Sequence, residues 1–177
     1  DGVAVTWSTS DDSVIGTDGV ITVPRYGQGD ATATLTATGT LNSVVLNKNF
    51  TVVVAEETVS AYLTRIGNSI IITNSDAITA DFLLPGYYGS GETQATITWA
   101  SDDTAIATIS AETDEDGFYT VTVTRPQVDD GGENTTVVLT ATITVGENEL
   151  DVDKSILVIA ESSSTPVSTI AEGMALT

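Results

Sequence analysis

Cysteine and histidine are both absent from the 177 residues. Their absence excludes disulfides, thiolate zinc sites, thiol nucleophiles and every catalytic triad built on imidazole. Basic residues are scarce as well: 5 stand against 25 acidic residues, and the net charge is −20. Phosphate backbones and anionic membranes need a basic face, so neither nucleic acid nor a membrane is expected as a partner. This charge is typical of a solvated, self-repelling surface, with cation binding or life in high salt as the alternatives.

Long apolar stretches are also lacking. No run reaches the 18 or more apolar residues of a membrane-spanning helix, so no such helix is predicted. The chain begins at Asp1 and not at Met, which favours a processed or excised product. Thr and Val dominate the composition while Gly and Asp interrupt it, and this pattern predicts an all-β protein of short strands.

Short alternating segments occupy residues 3–7, 19–23, 31–38 and 48–54. Their period of two predicts half-buried strands, with alternate side chains on one face. Between 58 and 66 the period changes. Val59, Leu63 and Ile66 recur at helical spacing behind Thr58, which predicts a short helix that Gly67 ends.

The chain contains an internal repeat. The Trp-Ser-Thr-Ser-Asp-Asp of the first copy corresponds to Trp-Ala-Ser-Asp-Asp in the second, and the two tryptophans are 92 residues apart. The offset then grows to 102, 104 and 106 between strands, where insertions are tolerated. Two domains are therefore predicted, at 1–56 and 57–161. The matched residues are Trp7 with Trp99, Ile15 with Ile106, Pro24 with Pro126, Leu35 with Leu139, and Lys48 with Lys154.

The last ten residues, 168–177, match 76–85 at the offset of 92. In the second copy this stretch precedes the Trp strand, whereas the first copy has no such strand before Trp7. We therefore predict that 168–177 is a strand that completes a first domain, joined by a linker at 162–167. Gly173 stands where the second copy has Asp81, so the receiving groove is tight there or the strand bulges. Ile170, Met174 and Leu176 take the positions of Ile78, Phe82 and Leu84.

These residues carry a family resemblance. The Trp strand with its Ser and Asp residues, the Asp-Gly turn, the Leu-Thr-Ala-Thr strand and the Lys-x-Phe-x-Val strand resemble the bacterial immunoglobulin-like domains of secreted and surface-anchored proteins. The Leu-Leu-Pro that ends at Pro85 resembles the opening strand of the variety called atrophied. The resemblance implies two tandem immunoglobulin-like β-sandwiches, of which the first lacks its opening strand. Such modules serve as spacers, adhesin stalks and filament subunits alike.

Each domain then has a predicted core. The predicted core of the first domain, which accepts the strand, comprises Val5, Trp7, Leu35, Phe50 and Val52. For the second it comprises Ile78, Phe82, Leu84, Trp99, Leu139 and Ile156.

The strand at 168–177 has three destinations: another molecule, the first domain of its own chain, or a further module that is cut off. Returning along a domain requires about 30 Å, whereas residues 161–167 span roughly 25 Å at most, which favours another molecule. Because donor and acceptor surfaces differ, the contact repeats into a fibre. The function predicted is a non-enzymatic subunit of an extracellular, cell-surface filament, a head-to-tail homopolymer with a role in adhesion. The alternative is a spacer or binding module of a larger adhesin or multidomain enzyme, with Tyr87 and Tyr88 exposed in a loop to hold a glycan or surface partner.

Acidic pairs offer a second kind of chemistry. Asp residues populate turns because they bond their own backbone, and calcium ligation is the weaker interpretation because no Asp-x-Asp-x-Asp-Gly loop is present. No other cofactor is predicted. Asn49 and Asn134 fit the N-glycosylation pattern, a weak match in a Thr-rich chain. The calcium candidates are Asp11, Asp12, Asp102, Asp103, Asp114 and Asp116.

Overall fold

The computed structural model describes residues 3–128 and 131–161; the predicted linker at 162–167 and the predicted donor strand at 168–177 lie outside the described residues. Those ranges contain ten strands and one α-helix, which confirms the all-β class. No helix described there is long and apolar enough to cross a bilayer. The elements are β1 Ala4–Thr9, β2 Ala31–Leu41, β3 Val44–Val54, α1 Val59–Ser69, β4 Phe82–Pro85, β5 Tyr87–Tyr88, a 3-10 turn Gly91–Thr93, β6 Ala95–Ser101, β7 Ala107–Ile109, β8 Phe118–Val123, β9 Thr135–Val145 and β10 Asn148–Val158.

The chain divides into two compact units. Unit 1 comprises Asp1–Arg65 with Ser90–Thr93, and unit 2 comprises Ile66–Gly89 with Gln94–Thr177. The division falls inside α1, whose first turns belong to unit 1 and whose last turn belongs to unit 2.

Unit 2 is a sandwich of two antiparallel sheets. One sheet has the order β10-β9-β6-β5 and the other has the order β4-β8-β7. In β9 the odd-numbered residues from Val137 to Ile143 are completely buried while the threonines between them are half-buried, as strand alternation requires. Leu139 of β9 and Val121 of β8 belong to one hydrophobic cluster, so the two sheets share a core.

Unit 1 is a single three-stranded sheet in the order β1-β2-β3. Its hydrophobic cluster consists of Val14, Ile15, Ala33 and Val54, with Leu35 among the half-buried residues around it. The second sheet of unit 2 has no full counterpart in the described part of unit 1, where the segment between β1 and β2 forms a single bridge, Ile15 to Ile21. The predicted strand at 19–23 is therefore wrong. The pairing is closed on one side by a tight turn over residues 16–19, in which the Gly19 N–H donates to Gly16 O. On the other side it stops because the partner segment turns at residues 11–15, where the Val14 and Ile15 N–H groups donate to Asp11 O.

The long hairpins of the two units have the same register. Leu35 pairs with Phe50 in unit 1, and Leu139 pairs with Lys154 in unit 2. Both hairpins turn through two residues, so the offset stays at 104 through both strands. The predicted equivalence of Lys48 with Lys154 is therefore wrong by two residues: Phe50 occupies the position of Lys154, and Lys48 occupies that of Val152.

The match of Ile15 with Ile106 is also wrong. Thr22 N–H donates to Val14 O, and Thr124 N–H donates to Ile106 O, so Ile106 corresponds to Val14. The buried Ile15 therefore corresponds to Ala107, and the offset of 92 is kept through these positions. The ten extra residues of unit 2 lie in the β7–β8 hairpin, which is longer than the turn at 16–19.

Helix α1 begins as predicted, because Thr58 Oγ1 accepts the Ala61 N–H at 3.2 Å. It does not end at Gly67, however, but continues to Ser69. Gly67 is needed for close packing: a Cβ atom there would lie 2.7 Å from Val152 Cγ2 and 3.5 Å from Ile143 Cδ1.

Tyr87 and Tyr88 were predicted in an exposed loop, but they form the edge strand β5, which pairs with β6. Tyr87 is 47% exposed, and its hydroxyl donates to Asp116 O at 3.2 Å. Tyr88 is half-buried. The backbone of both residues is therefore fixed by the sheet edge, and the Tyr87 side chain is held by the β7–β8 loop.

Candidate functional site

The outer edge of β10 in unit 2 is closed by the segment that leads into β4. Leu157 N–H donates to Ser75 O at 2.7 Å, and Ile78 N–H donates to Leu157 O at 2.8 Å. Ile159 N–H then donates to Ile78 O at 2.9 Å. Three main-chain hydrogen bonds therefore add this segment to the sheet, with Ile78 parallel to Val158.

The corresponding edge of unit 1 is open. At the offset of 104, Val53 and Ala55 take the positions of Leu157 and Ile159. No backbone group from the described residues bonds to Val53 N–H, Val53 C=O or Ala55 N–H on this edge. Val53 is 61% exposed. An open sheet edge of this kind is a template for another strand.

The two tryptophans show the same contrast. Trp99 is half-buried, and its indole N–H donates to Pro85 O at the end of β4, at 2.9 Å. Trp7 is 48% exposed; its ring lies 5.8 Å from that of Phe50, and its indole N–H has no acceptor within residues 3–128 and 131–161. The Trp99 acceptor, Pro85 O, ends a strand that has no counterpart in the described part of unit 1.

The predicted acceptor residues share one face of the unit 1 sheet. The register places Trp7 opposite Ala37, Leu35 opposite Phe50, and Val52 opposite Ala33, and Val5 lies two residues before Trp7. Leu35 and Val52 are half-buried beside the cluster, whereas Val5 and Phe50 are exposed. In unit 2 the counterpart of Val5 is Ile97, which is 1% exposed against 54% for Val5. Among the described residues, nothing covers this face of unit 1, although its counterpart in unit 2 is a buried core.

The predicted core residues of the second domain all lie in or against its hydrophobic cluster. Ile78, Leu84, Leu139 and Ile156 are buried. Phe82 and Trp99 are partly buried and pack against them. The predicted donor residues Ile170, Gly173, Met174 and Leu176 lie outside the described residues.

The acidic candidates of the second domain lie in loops, where three of them accept hydrogen bonds from nearby backbone N–H groups. Asp102 accepts the Val138 N–H at 2.8 Å, and Asp103 accepts the Ala105 N–H at 3.0 Å. Asp114 accepts the Phe118 N–H at 2.8 Å and the Asp116 N–H at 3.0 Å. Within the described ranges, no three acidic side chains come together as a cation site requires.

Asp11 belongs to the same class of turn residue. Its Oδ1 accepts hydrogen bonds from the hydroxyl and the N–H of Ser13, and these lower the pKa of Asp11. Asp12 is exposed in the same loop.

The two glycosylation candidates have different surroundings. Asn49 lies in the middle of β3, where its Oδ1 accepts the Thr36 hydroxyl at 3.1 Å. Asn134 precedes β9, and its Oδ1 accepts the Ala160 N–H at 2.9 Å. Asn134 therefore binds the backbone just after β10. Asp30 does the same after β3 in unit 1, where it accepts the Glu56 N–H at 3.0 Å.

The sequence prediction missed two glutamates. Each one lies after the last strand of its unit and bonds that end of the chain segment back to the same unit. Glu57 N–H donates to Pro24 O at 2.8 Å, and Glu161 N–H donates to Pro126 O at 2.9 Å. Each glutamate also pairs with an arginine: Arg65 with Glu57 at 2.9 Å, and Arg125 with Glu161 at 2.7 Å. The sequence did contain a signal for this role: a Glu follows β3 and another follows β10, and the two are 104 residues apart.

The Glu57 pair has a consequence for acid stability. Hydrogen bonding from the Arg65 side chain holds the pKa of Glu57 below its ordinary value of 4.5. The unfolded chain therefore takes up this proton more readily, and the pair stabilises unit 1 above about pH 4.5 and loses that effect as the pH falls through the lowered pKa. We expect a contribution of up to about 1 kcal/mol, as for other surface pairs.

Urea unfolding of the unmodified chain and of Arg65→Met, at neutral pH and near pH 3, measures this effect. The stability gap between the two proteins should narrow in acid. A gap of unchanged size at both pH values would contradict the assignment.

Comparison with known proteins agrees with this architecture. The family model described as the atrophied bacterial Ig domain matches residues 1–57 and 69–161. A search of curated proteins finds no match to the chain. The two matched stretches cover most of the 177 residues and confirm the resemblance predicted from the Trp, Asp-Gly and Leu-Thr-Ala-Thr strands. The chain therefore belongs to the atrophied bacterial Ig domain family.

Proposed function

We propose that this protein is a structural subunit of an extracellular filament, in which residues 168–177 of one molecule complete unit 1 of the next. The observation that carries the proposal is the open edge at Val53 and Ala55, whose counterparts in unit 2 are hydrogen-bonded to the segment before β4. The chain contains a second version of that segment only at 168–177.

The offset of 92 sets the register of the incoming strand. Val167 and Ile170 take the positions of Ser75 and Ile78. Val53 N–H then donates to Val167 C=O, Ile170 N–H donates to Val53 C=O, and Ala55 N–H donates to Ile170 C=O. Such main-chain bonds are the common element of strand addition to an exposed sheet edge.

The second half of the strand contributes mainly through its side chains. In unit 2, β4 pairs with β8, but unit 1 has the turn at 16–19 in the place of that pairing. Ile170, Met174 and Leu176 nevertheless face the uncovered core, and burying each contributes about 1.5–3 kcal/mol before the entropy of ordering is counted. The proposed main-chain hydrogen bonds therefore lie around Ile170, whereas Met174 and Leu176 contribute mainly by burying apolar surface.

The position of Gly173 is consistent with this division. In unit 2 its counterpart Asp81 accepts the Val123 N–H at 2.8 Å and fixes the strand against β8. Gly173 has no carboxylate, and unit 1 has only the single bridge at Ile21 in that place.

Donor and acceptor are different surfaces, so the contact is heterologous and each subunit both gives and receives a strand. Repetition of such a contact without closure builds a filament. The high negative charge opposes non-specific association, which leaves strand insertion as the specific contact between subunits.

Cysteine cross-linking tests the proposal cleanly, because the chain has no cysteine of its own. Val54 and Ile170 are the counterparts of the bridge partners Val158 and Ile78. Neighbouring strands place Cα atoms at distances that a disulfide spans. The variants Val54→Cys and Ile170→Cys, prepared separately and mixed under mild oxidation, should form a disulfide-linked dimer on a non-reducing gel.

The matched control replaces Ile170→Cys by Ala171→Cys, whose side chain points to the other face of the strand. It should cross-link far less. A disulfide that forms only when both cysteines are in one chain would show self-closure and refute the filament. Absence of any Val54–Ile170 disulfide would refute insertion altogether.

A further inference from the structure

The open face of unit 1 has a recess at the end nearest the β2–β3 turn. Its volume is about 390 Å³, and it is lined by Val3, Gly39, Leu41, Asn42, Val44 and Leu46. Leu41 and Leu46 are 56% and 73% exposed. The recess is therefore an apolar surface separate from the edge at Val53.

In unit 2 the equivalent surface lies beneath the last turn of α1. Gly39 corresponds to Ile143 and Lys48 corresponds to Val152, the two residues against which Gly67 packs. Lys154 Nζ donates to Gly67 O at 2.9 Å, and Ile66, the residue before Gly67, is completely buried. A helix, and not a strand, covers this end of the sheet.

The internal repeat matches no part of residues 162–177 to α1. The stretch 168–177 corresponds to 76–85, which begins after α1 has ended at Ser69. Only 162–167 remain between it and Glu161, which is bonded to Pro126 and Arg125 of its own unit, whereas α1 has 11 residues. Strand insertion by itself leaves the recess open.

We infer that the recess binds an amphipathic α-helix of the α1 type, contributed by a segment other than 162–177. The inference rests on the proposed function in that both treat the open face of unit 1 as an acceptor. Unit 1 then accepts both kinds of element that residues 59–85 supply to unit 2, a helix and a strand, but from separate segments.

The lining of the recess defines the chemistry of that helix. Gly39 stands where unit 2 has Ile143, so the helix carries a large apolar side chain at the position of Gly67. Lys48 is exposed on the same face, and its ammonium group complements the partial negative charge of a helix C-terminus, as Lys154 does for α1. Aliphatic residues at the positions of Leu63, Ile66 and Ile70 complete the apolar face.

A chain extended in cis tests the inference. A second copy of residues 58–94 is placed directly before Val3 of a chain that ends at Glu161, so that residues 168–177 cannot occupy unit 1. The added helix and strand then reach unit 1 through the same connection as in unit 2. The matched control carries Ile66→Asp in the added copy alone, which removes the buried helix residue and leaves the added strand intact. A third version carries Gly67→Leu in the added copy.

Two NMR signals separate the two acceptor surfaces: the Trp7 indole N–H reports the strand, and the Gly39 amide reports the recess. We expect the extension to shift both signals and to raise the urea midpoint of unit 1. The control should shift the Trp7 signal alone, and Gly67→Leu should raise the midpoint above that of the unaltered extension.

Equal midpoints and an unmoved Gly39 amide in all three versions would overturn the helix site while leaving the strand acceptor intact. A shifted Gly39 amide with an unmoved Trp7 indole would instead support the helix site and refute the proposed strand insertion.

Discussion

Removal of residues 162–177 should abolish head-to-tail assembly while leaving unit 2 folded. In the proposed filament, the deletion takes away Ile170, Met174 and Leu176 and the main-chain groups proposed to bond to Val53 and Ala55. Unit 2 keeps its own covering segment, since Ser75 and Ile78 remain bonded to β10. Sedimentation velocity and negative-stain imaging of the truncated and full chains measure the difference, and we expect a complete loss of polymer.

A synthetic peptide of residues 168–177 provides the control. Added to the truncated chain, it should bind unit 1 and protect the Trp7 indole N–H from exchange, yet restore no polymer because it joins nothing to a second subunit. A peptide with Ile170→Asp should not bind, because the carboxylate would enter an apolar core unpaired. Filaments that persist in the truncated chain would contradict donor-strand assembly.

Leu139→Ala should destabilise unit 2 by about 2–5 kcal/mol, the range for large-to-small changes in a packed core. Leu139 is fully buried in the cluster that joins the two sheets, so its truncation leaves a cavity. Leu35 occupies the equivalent position of unit 1 but is only half-buried. In the truncated monomer, Leu35→Ala should therefore cost clearly less than Leu139→Ala.

The pair of substitutions also reports on assembly. Once unit 1 has received a strand, Leu35 is covered and the cost of Leu35→Ala should rise toward that of Leu139→Ala. Urea unfolding with and without the 168–177 peptide measures both states. Equal costs in the peptide-free monomer would show that the face of unit 1 is already closed.

Much of the fold was predictable because strand alternation and repetition are local signals. Val5, Trp7 and Leu35 share a face because side chains alternate along a strand, and the repeat of Leu-Thr-Ala-Thr located the same strand twice. The alignment of the two sequence copies was wrong where two residues close together in the chain could match the same position. Lys48 was matched with Lys154 by residue type, but the two-residue turns of both hairpins set the register and assign that position to Phe50.

The role of Gly67 shows a second limit. A glycine near the end of a helical pattern commonly marks a C-terminus, so the sequence favoured a stop there. The helix continues because Gly67 packs against Val152 and Ile143, residues more than 70 positions away in the chain. Contacts at that separation leave no local pattern.

The sequence by itself determined the class, the duplication and the apolar pattern of residues 168–177, since each depends on residue type and short-range period. Only the tertiary structure decided which surfaces of unit 1 are uncovered. Main-chain groups carry no sequence signal, so the open edge at Val53 and Ala55 became visible only beside the closed edge of β10. The recess at Gly39 likewise acquired meaning only once α1 was seen to cover its counterpart, because that contact joins a helix to strands far along the chain.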